Sequence, residues 1–112
     1  MKLEEFIKEV LESVKEFPWI NRVEEVERSR VHVKLRLWLD ESFVDVRYNS
    51  RTGSTSYAYI EGKRRLFGAN NWKIGWHIHP FGEMEKHIPC NPLNIKEFLK
   101  MLENELKKRE RI

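Results

Sequence analysis

The sequence contains a single cysteine, no glutamine and no long apolar run among its 112 residues. One cysteine excludes an internal disulfide and favours a reducing compartment. No apolar stretch approaches the roughly 20 residues of a membrane-spanning helix. The charged segment from Met1 to Phe6 is not typical of a secretory signal. These absences predict a cytoplasmic protein with no membrane partner.

The remaining composition is that of a compact domain. Charged residues make up 35% and hydrophobic residues 40% of a chain with net charge +3. We therefore expect one domain over residues 1–112. A mildly basic balance permits nucleic-acid binding without demanding it. The density of Lys, Glu and Arg, together with the lack of glutamine, is typical of proteins from thermophiles.

Two helices are predicted, one near each end of the chain. Residues 2–17 carry apolar side chains at the spacing of an amphipathic helix, and Pro18 is expected to end it. The second helix begins after Asn94, because Glu97 three residues later completes a capping box. Lys107, Lys108 and Arg109 suit the negative end of its dipole.

Strands are predicted between the helices. The clearest is 31–39, where Val33, Leu35 and Leu37 alternate with polar residues. Further strands are expected near 19–28, 43–49, 54–60, 63–67 and 76–79. Residues 68–73 and 80–93 are expected to be loops. The pattern predicts an α+β fold, an antiparallel meander sheet of five to six strands with both helices packed on one face.

The richest candidate for a site is the segment from Gly75 to Phe81. Three of the four histidines, His77, His79 and His87, lie close together in sequence, and Cys90 follows. On an extended backbone His77 and His79 point the same way, with Cα atoms roughly 6.5–7 Å apart. They could bind one metal ion or flank one phosphate.

The metal interpretation uses zinc as cofactor, with His77, His79, His87 and Cys90 as candidate ligands. The spacing H-x-H-x7-H-x2-C resembles the JAMM metalloproteases, whose motif is H-x-H-x7-S-x2-D after Gly-Trp. In this sequence His87 stands at the serine position and Cys90 at the aspartate position. His77, His79 and Glu83 also resemble the first cupin motif, but no second motif follows.

The interpretation that we prefer from the sequence is acid–base chemistry without a cofactor, with zinc binding as the alternative. Cleavage of RNA by its own 2′-OH needs a base, an acid and a cation beside the phosphate. His77 and His79 would supply the first two. Arg65 is the catalytic cation that we would choose, and further candidates to hold RNA are Arg64, Lys63 and Lys73.

A longer segment resembles a known family. Arg65-Leu66-Phe67-Gly68-Ala69-Asn70, the histidine-rich run and the last helix resemble TumE-type proteins, the toxin-like members of prokaryotic toxin–antitoxin pairs. The resemblance covers about residues 30–110. It implies RNA as target, an antitoxin-like protein as partner, and roles for Arg65, Asn70, His77 and His79. Ala69 departs from the aspartate of the family's Arg-Tyr-Asp-Asn segment.

The polar face of the 31–39 strand offers a second surface. His32, Lys34, Arg36 and Trp38 share that face, and with Arg47 they could hold a phosphate backbone while Trp38 stacks on a base. A two-fold homodimer that buries Trp38 is the alternative. The sequence thus favours a toxin-like protein acting on RNA, and a zinc-binding protein and a non-catalytic dimeric module are the two alternatives.

Overall fold

The computed structural model describes all 112 residues and shows two helices and one antiparallel sheet. The sheet has seven strands whose spatial order follows the chain order, so it is a simple meander. The elements are α1 (Leu3–Val14), β1 (Arg22–Arg28), β2 (His32–Leu39), β3 (Ser42–Asn49), β4 (Thr55–Glu61), β5 (Arg64–Asn70), β6 (His77–His79), β7 (Ile88–Pro89) and α2 (Ile95–Lys108). The predicted α+β class is confirmed.

Both helices pack on one face of the sheet, which we call the core face. Phe6 of α1 stacks on Tyr48 of β3 with ring centroids 4.3 Å apart. Phe98 of α2 lies against Tyr57 of β4 and Phe67 of β5. The predicted burial of the alternate residues in β2 is confirmed, because Leu35 is only 2% exposed. No helix packs on the opposite face, which we call the open face.

The helix boundaries follow the expected local chemistry. The Asn94 side chain accepts a hydrogen bond from the Glu97 backbone, and the Glu97 carboxylate accepts one from the Asn94 N–H. This capping box was predicted. Helix α1 ends at Val14, three residues short of the predicted end at Phe17, so Pro18 does not itself end it. Neither helix is long and apolar enough to span a lipid bilayer.

The structure corrects two predicted loops and raises the strand count to seven. Strand β5 continues through Gly68 to Asn70, because that segment pairs with β4 on one side and β6 on the other. Ile88–Pro89 forms a short strand inside the predicted 80–93 loop. A strand of two residues has no periodicity to read, and a glycine inside a strand resembles a loop signal.

Candidate metal centre

Strand pairing brings three histidines together on the open face. His77 and His79 are on the same side of β6, as predicted. Ile78 pairs with Ile88 of β7, so the register places His87 beside His79. The ring centroids are 5.0 Å apart for His77 and His79, 4.9 Å for His77 and His87, and 4.6 Å for His79 and His87. Three imidazoles therefore surround one point.

Backbone carbonyls fix the protonation of two of these rings. The Nδ1 atom of His77 lies 2.9 Å from the carbonyl oxygen of Gly75, and Nδ1 of His79 lies 2.7 Å from that of Met84. A carbonyl oxygen only accepts, so each Nδ1 must carry the proton and donate it. In the neutral ring the lone pair is then on Nε2. Metal-binding histidines usually donate their other ring N–H to a carbonyl or carboxylate oxygen in this way.

Asn70 supports the same tautomer of His79. The backbone N–H of Trp72 donates to the Asn70 Oδ1, which orients the amide so that its Nδ2 faces His79. That Nδ2 lies 3.4 Å from the Nε2 of His79. Nε2 therefore acts as an acceptor, so the contacts of both ring nitrogens place the proton of His79 on Nδ1.

The environment also favours the neutral form of His79. Burial lowers the pKa of the His79 imidazole below its ordinary value, and the neighbouring His87 and His77 lower it further. The hydrogen bond to Met84 opposes this shift without cancelling it. A neutral imidazole is the form that binds a metal or accepts a proton.

The cluster lies at the base of an open depression of about 520 Å³. His77 is only 4% exposed and forms the floor, whereas His87 is exposed at the rim. Arg65, Asn70, Trp72, Lys73 and Ile74 complete the lining. Arg65 and Lys73 have no carboxylate partner within 4.0 Å, so their charges remain available to a ligand.

A close backbone approach supports this floor. Gly68 pairs with Ala58 of β4 and with His79 of β6. A Cβ at Gly68 would lie 2.9 Å from the carbonyl oxygen of Tyr57 and 3.4 Å from Cε of Met84. Only glycine fits here without a shift of the backbone. The Met84 whose carbonyl orients His79 thus packs directly on Gly68.

The atoms of the cluster fit a transition metal. One ring nitrogen from each of the three histidines lies within 4.8 Å of the other two. Tetrahedral zinc with Zn–N bonds of about 2.0–2.1 Å holds its nitrogens about 3.3 Å apart. Points at the observed spacing surround a centre about 2.8 Å from each, so inward movement of each ring by less than about 1 Å would reach bonding distance.

Cys90 lies outside this cluster, although the metal interpretation included it. Its backbone N–H donates to the carbonyl oxygen of Trp76, one position before His77. Since side chains alternate across a strand, Cys90 follows Trp76 to the core face while His77 and His79 point to the open face. Burial raises the pKa of the Cys90 thiol, which favours the protonated form. Glu83 instead pairs with Lys86.

The residues proposed to hold RNA fall into two groups. Arg65, Asn70 and Lys73 line the depression with the histidines. Lys63 and Arg64 lie at the exposed β4–β5 turn, outside that lining. Trp72 and Ile74 also line the depression but were not predicted, because no local sequence pattern indicates that a loop folds back beside a strand.

The predicted sheet-face residues Lys34, Arg36 and Trp38 lie on the open face, several strands away from the histidines. The Trp38 indole N–H donates to Glu24, and Arg22 lies over its ring. The guanidinium of Arg36 lies over the ring of Phe43. Both side chains are therefore already held by neighbours.

Comparisons with protein-family models, with curated proteins and with solved structures give no match.

Proposed function

We propose that His77, His79 and His87 form a centre for one divalent transition metal, zinc by preference, with an open coordination position facing the depression. The observation that carries the proposal is the convergence of three ring nitrogens within 4.8 Å. The two carbonyl-held Nδ1–H groups support it, because they leave the lone pair on Nε2 of His77 and His79 for a metal, which would displace the 3.4 Å contact of Asn70 with His79.

Three protein ligands are typical of a catalytic rather than a structural zinc site. Structural zinc is usually closed by four protein ligands, whereas catalytic zinc keeps one position for water or substrate. Cys90 is on the other face, so it does not supply a fourth ligand in this fold. A bound metal of this kind lowers the pKa of its water and so supplies a nucleophile near neutral pH.

The chain's own residues favour an anionic substrate. Arg65 and Lys73 are unpaired cations in the lining of the same depression, and they would hold and orient a phosphate or carboxylate group. In hydrolysis of a phosphate ester, the water oxygen bonds to phosphorus, the bond to the leaving oxygen breaks, and that oxygen takes up a proton. We propose this hydrolysis as the reaction.

Metal content tests the site directly. Protein freed of metal, incubated with zinc and desalted should retain about one equivalent. His77→Ala, His79→Ala and His87→Ala should each lose most of it. His32→Ala is the matched control, because His32 is the fourth histidine and lies outside the cluster. Retention below a tenth of an equivalent by the unchanged protein would refute the proposal.

A second candidate is the metal-free cleavage of RNA expected of a toxin-like protein. The hydrogen bond from Nδ1 of His79 to the Met84 carbonyl favours it, since it leaves Nε2 of the neutral ring as a base once the 3.4 Å contact with Asn70 opens. His77 would then be the acid, and Arg65 would face the phosphate. The 2′-oxygen bonds to phosphorus as its proton passes to His79, and the leaving 5′-oxygen receives a proton from the acid.

One assay separates the two candidates. Metal-free cleavage should show a bell-shaped pH–rate profile near neutrality, resist chelator and spare DNA, which has no 2′-OH. Replacing either His77 or His79 by alanine should slow it by roughly 10²–10⁴-fold. Hydrolysis at the metal centre should instead stop with chelator and return with zinc. An unchanged rate in the His77→Ala, His79→Ala double variant would exclude both.

A further inference from the structure

A row of polar side chains crosses the open face and ends at the histidine cluster. Direct cross-strand pairing joins Lys34 to Arg47, Arg47 to Ser56, Ser56 to Asn70 and Asn70 to His77. Residues paired in this way point to the same side of the sheet. With strands about 4.7–4.9 Å apart, the row extends about 19 Å from Lys34 to His77. It runs perpendicular to the strands, into the depression.

Unpaired positive charge lies at the two ends of the row, on Lys34 at one end and on Arg65 and Lys73 beside His77 at the other. Lys34 has no carboxylate partner within 4.0 Å, and it keeps part of its side chain exposed. Asp45, which is buried beside the row, holds the Arg47 guanidinium at 2.8 Å. Ser56 and His77 are buried, whereas Asn70 remains partly exposed. Arg65 and Lys73 continue the positive charge into the depression.

We infer that this row, which we call the polar track, binds a single-stranded nucleic acid and leads one of its phosphates to the histidine cluster. This names the substrate class of the proposed metal centre and so rests on that proposal. Spaced cations on a sheet suit a flexible strand, whose phosphates recur along one line. The exposed Trp72 at the end of the track, 50% accessible, offers a ring face to a base.

The charge pattern favours this occupant over a second copy of the chain. A two-fold interface on the open face would bring the unpaired cations Lys34, Arg65 and Lys73 toward the same cations of its own copy. In the strand register, the residue directly opposite Lys34 on the edge strand β1 is the acidic Glu27. The track thus ends at an acidic edge on one side and at the depression on the other, which gives the bound strand a defined path.

Binding is measured on the full chain with a labelled single-stranded DNA of about 12 nucleotides. Chelator is present, so the proposed metal centre cannot consume the DNA, and the DNA lacks the 2′-OH that metal-free cleavage needs. An RNA of the same sequence with every 2′-OH methylated, which blocks metal-free cleavage, and a DNA duplex serve as further probes. Lys34→Glu and Arg65→Glu should each weaken the Kd for both single strands about tenfold, and each should reduce the magnitude of the salt slope by about 0.7 or more. Lys8→Glu is the matched control, because Lys8 is an exposed cation on α1, which packs on the side of the sheet opposite the track.

Four outcomes decide the matter. Loss of binding by Lys34→Glu with retention by Lys8→Glu supports the track, and equal effects of the two overturn it. Tighter binding of the duplex than of either single strand also overturns it. If light scattering shows a dimer that Lys34→Glu dissociates, and no strand binds, a second copy occupies the face instead.

Zinc content separates this inference from the metal proposal. Lys34→Glu should retain about one equivalent of zinc, while His79→Ala should lose zinc and still bind the strand. Strand binding without zinc retention would refute only the metal centre. Zinc retention without strand binding would refute only the track.

Discussion

Replacing Gly68 by alanine adds one methyl group that should disturb both the sheet and the candidate site. The added Cβ would lie 2.9 Å from the backbone oxygen of Tyr57, which cannot rotate away, and 3.4 Å from Cε of Met84, which can. Either β4 and β5 separate locally or β5 tilts. In both cases the change reaches His79, which pairs with Gly68 and takes its orientation from the Met84 carbonyl.

The size of the effect follows from these contacts. Inserting a methyl group into a well-packed interior typically costs about 1–3 kcal/mol. At typical urea sensitivities this lowers the unfolding midpoint by about 1 M. Disturbing a group that orients a metal ligand typically weakens metal affinity about 10–100-fold. We expect Gly68→Ala to show both losses.

Urea unfolding and zinc titration of the same preparation measure the two losses. Met84→Ala in the Gly68→Ala background is the informative control. It removes the flexible contact but leaves the rigid one with Tyr57, so it should restore little stability. A Gly68→Ala protein within 0.5 kcal/mol of the unchanged protein, with unchanged zinc affinity, would refute the close-approach argument.

Two further predictions concern the rest of the fold. Leu35→Ala should lower the free energy of unfolding by about 2–4 kcal/mol in denaturant titrations, because Leu35 is buried under the helices; a loss below about 0.5 kcal/mol would contradict that placement. The hydrogen bond from the Trp19 indole N–H lowers the pKa of Glu103 below its ordinary 4.5, burial opposes the shift, and the hydrogen bond from Lys100 and the charge of Lys107 lower the pKa further. The stability that the ionised Glu103 carboxylate adds to the folded state is therefore complete above pH 4.5. It is lost as the pH falls through the lower pKa of Glu103 in the folded state. Urea midpoints from pH 7 to 3 should fall less steeply in Glu103→Gln, and parallel profiles would contradict this.

Patterns that extend over several residues were readable from the sequence. The alternation of Val33, Leu35 and Leu37 fixed which face of β2 is buried, and two histidines one residue apart could only share a face. The Asn94 capping box likewise needs no tertiary information. In each case one strand or helix carries the whole signal.

The features that depend on pairing between segments were not readable. The register of the two-residue strand β7 places His87 inside the cluster and Cys90 outside it, and no periodicity in the sequence predicts that register. The carbonyl oxygens of Gly75 and Met84 belong to loops, and any residue type supplies such an atom. The polar track also needs the register of five strands before Lys34 and His77 fall on one line.

The most direct test of the account is the X-ray absorption spectrum of the zinc-loaded protein at the zinc edge. Binding by His77, His79 and His87 predicts three imidazole nitrogens at about 2.0–2.1 Å, a further light atom from water, and no sulfur. A sulfur neighbour at about 2.3 Å would place Cys90 in the metal site. That result, or a protein that retains no zinc to measure, would contradict a three-histidine centre on the open face.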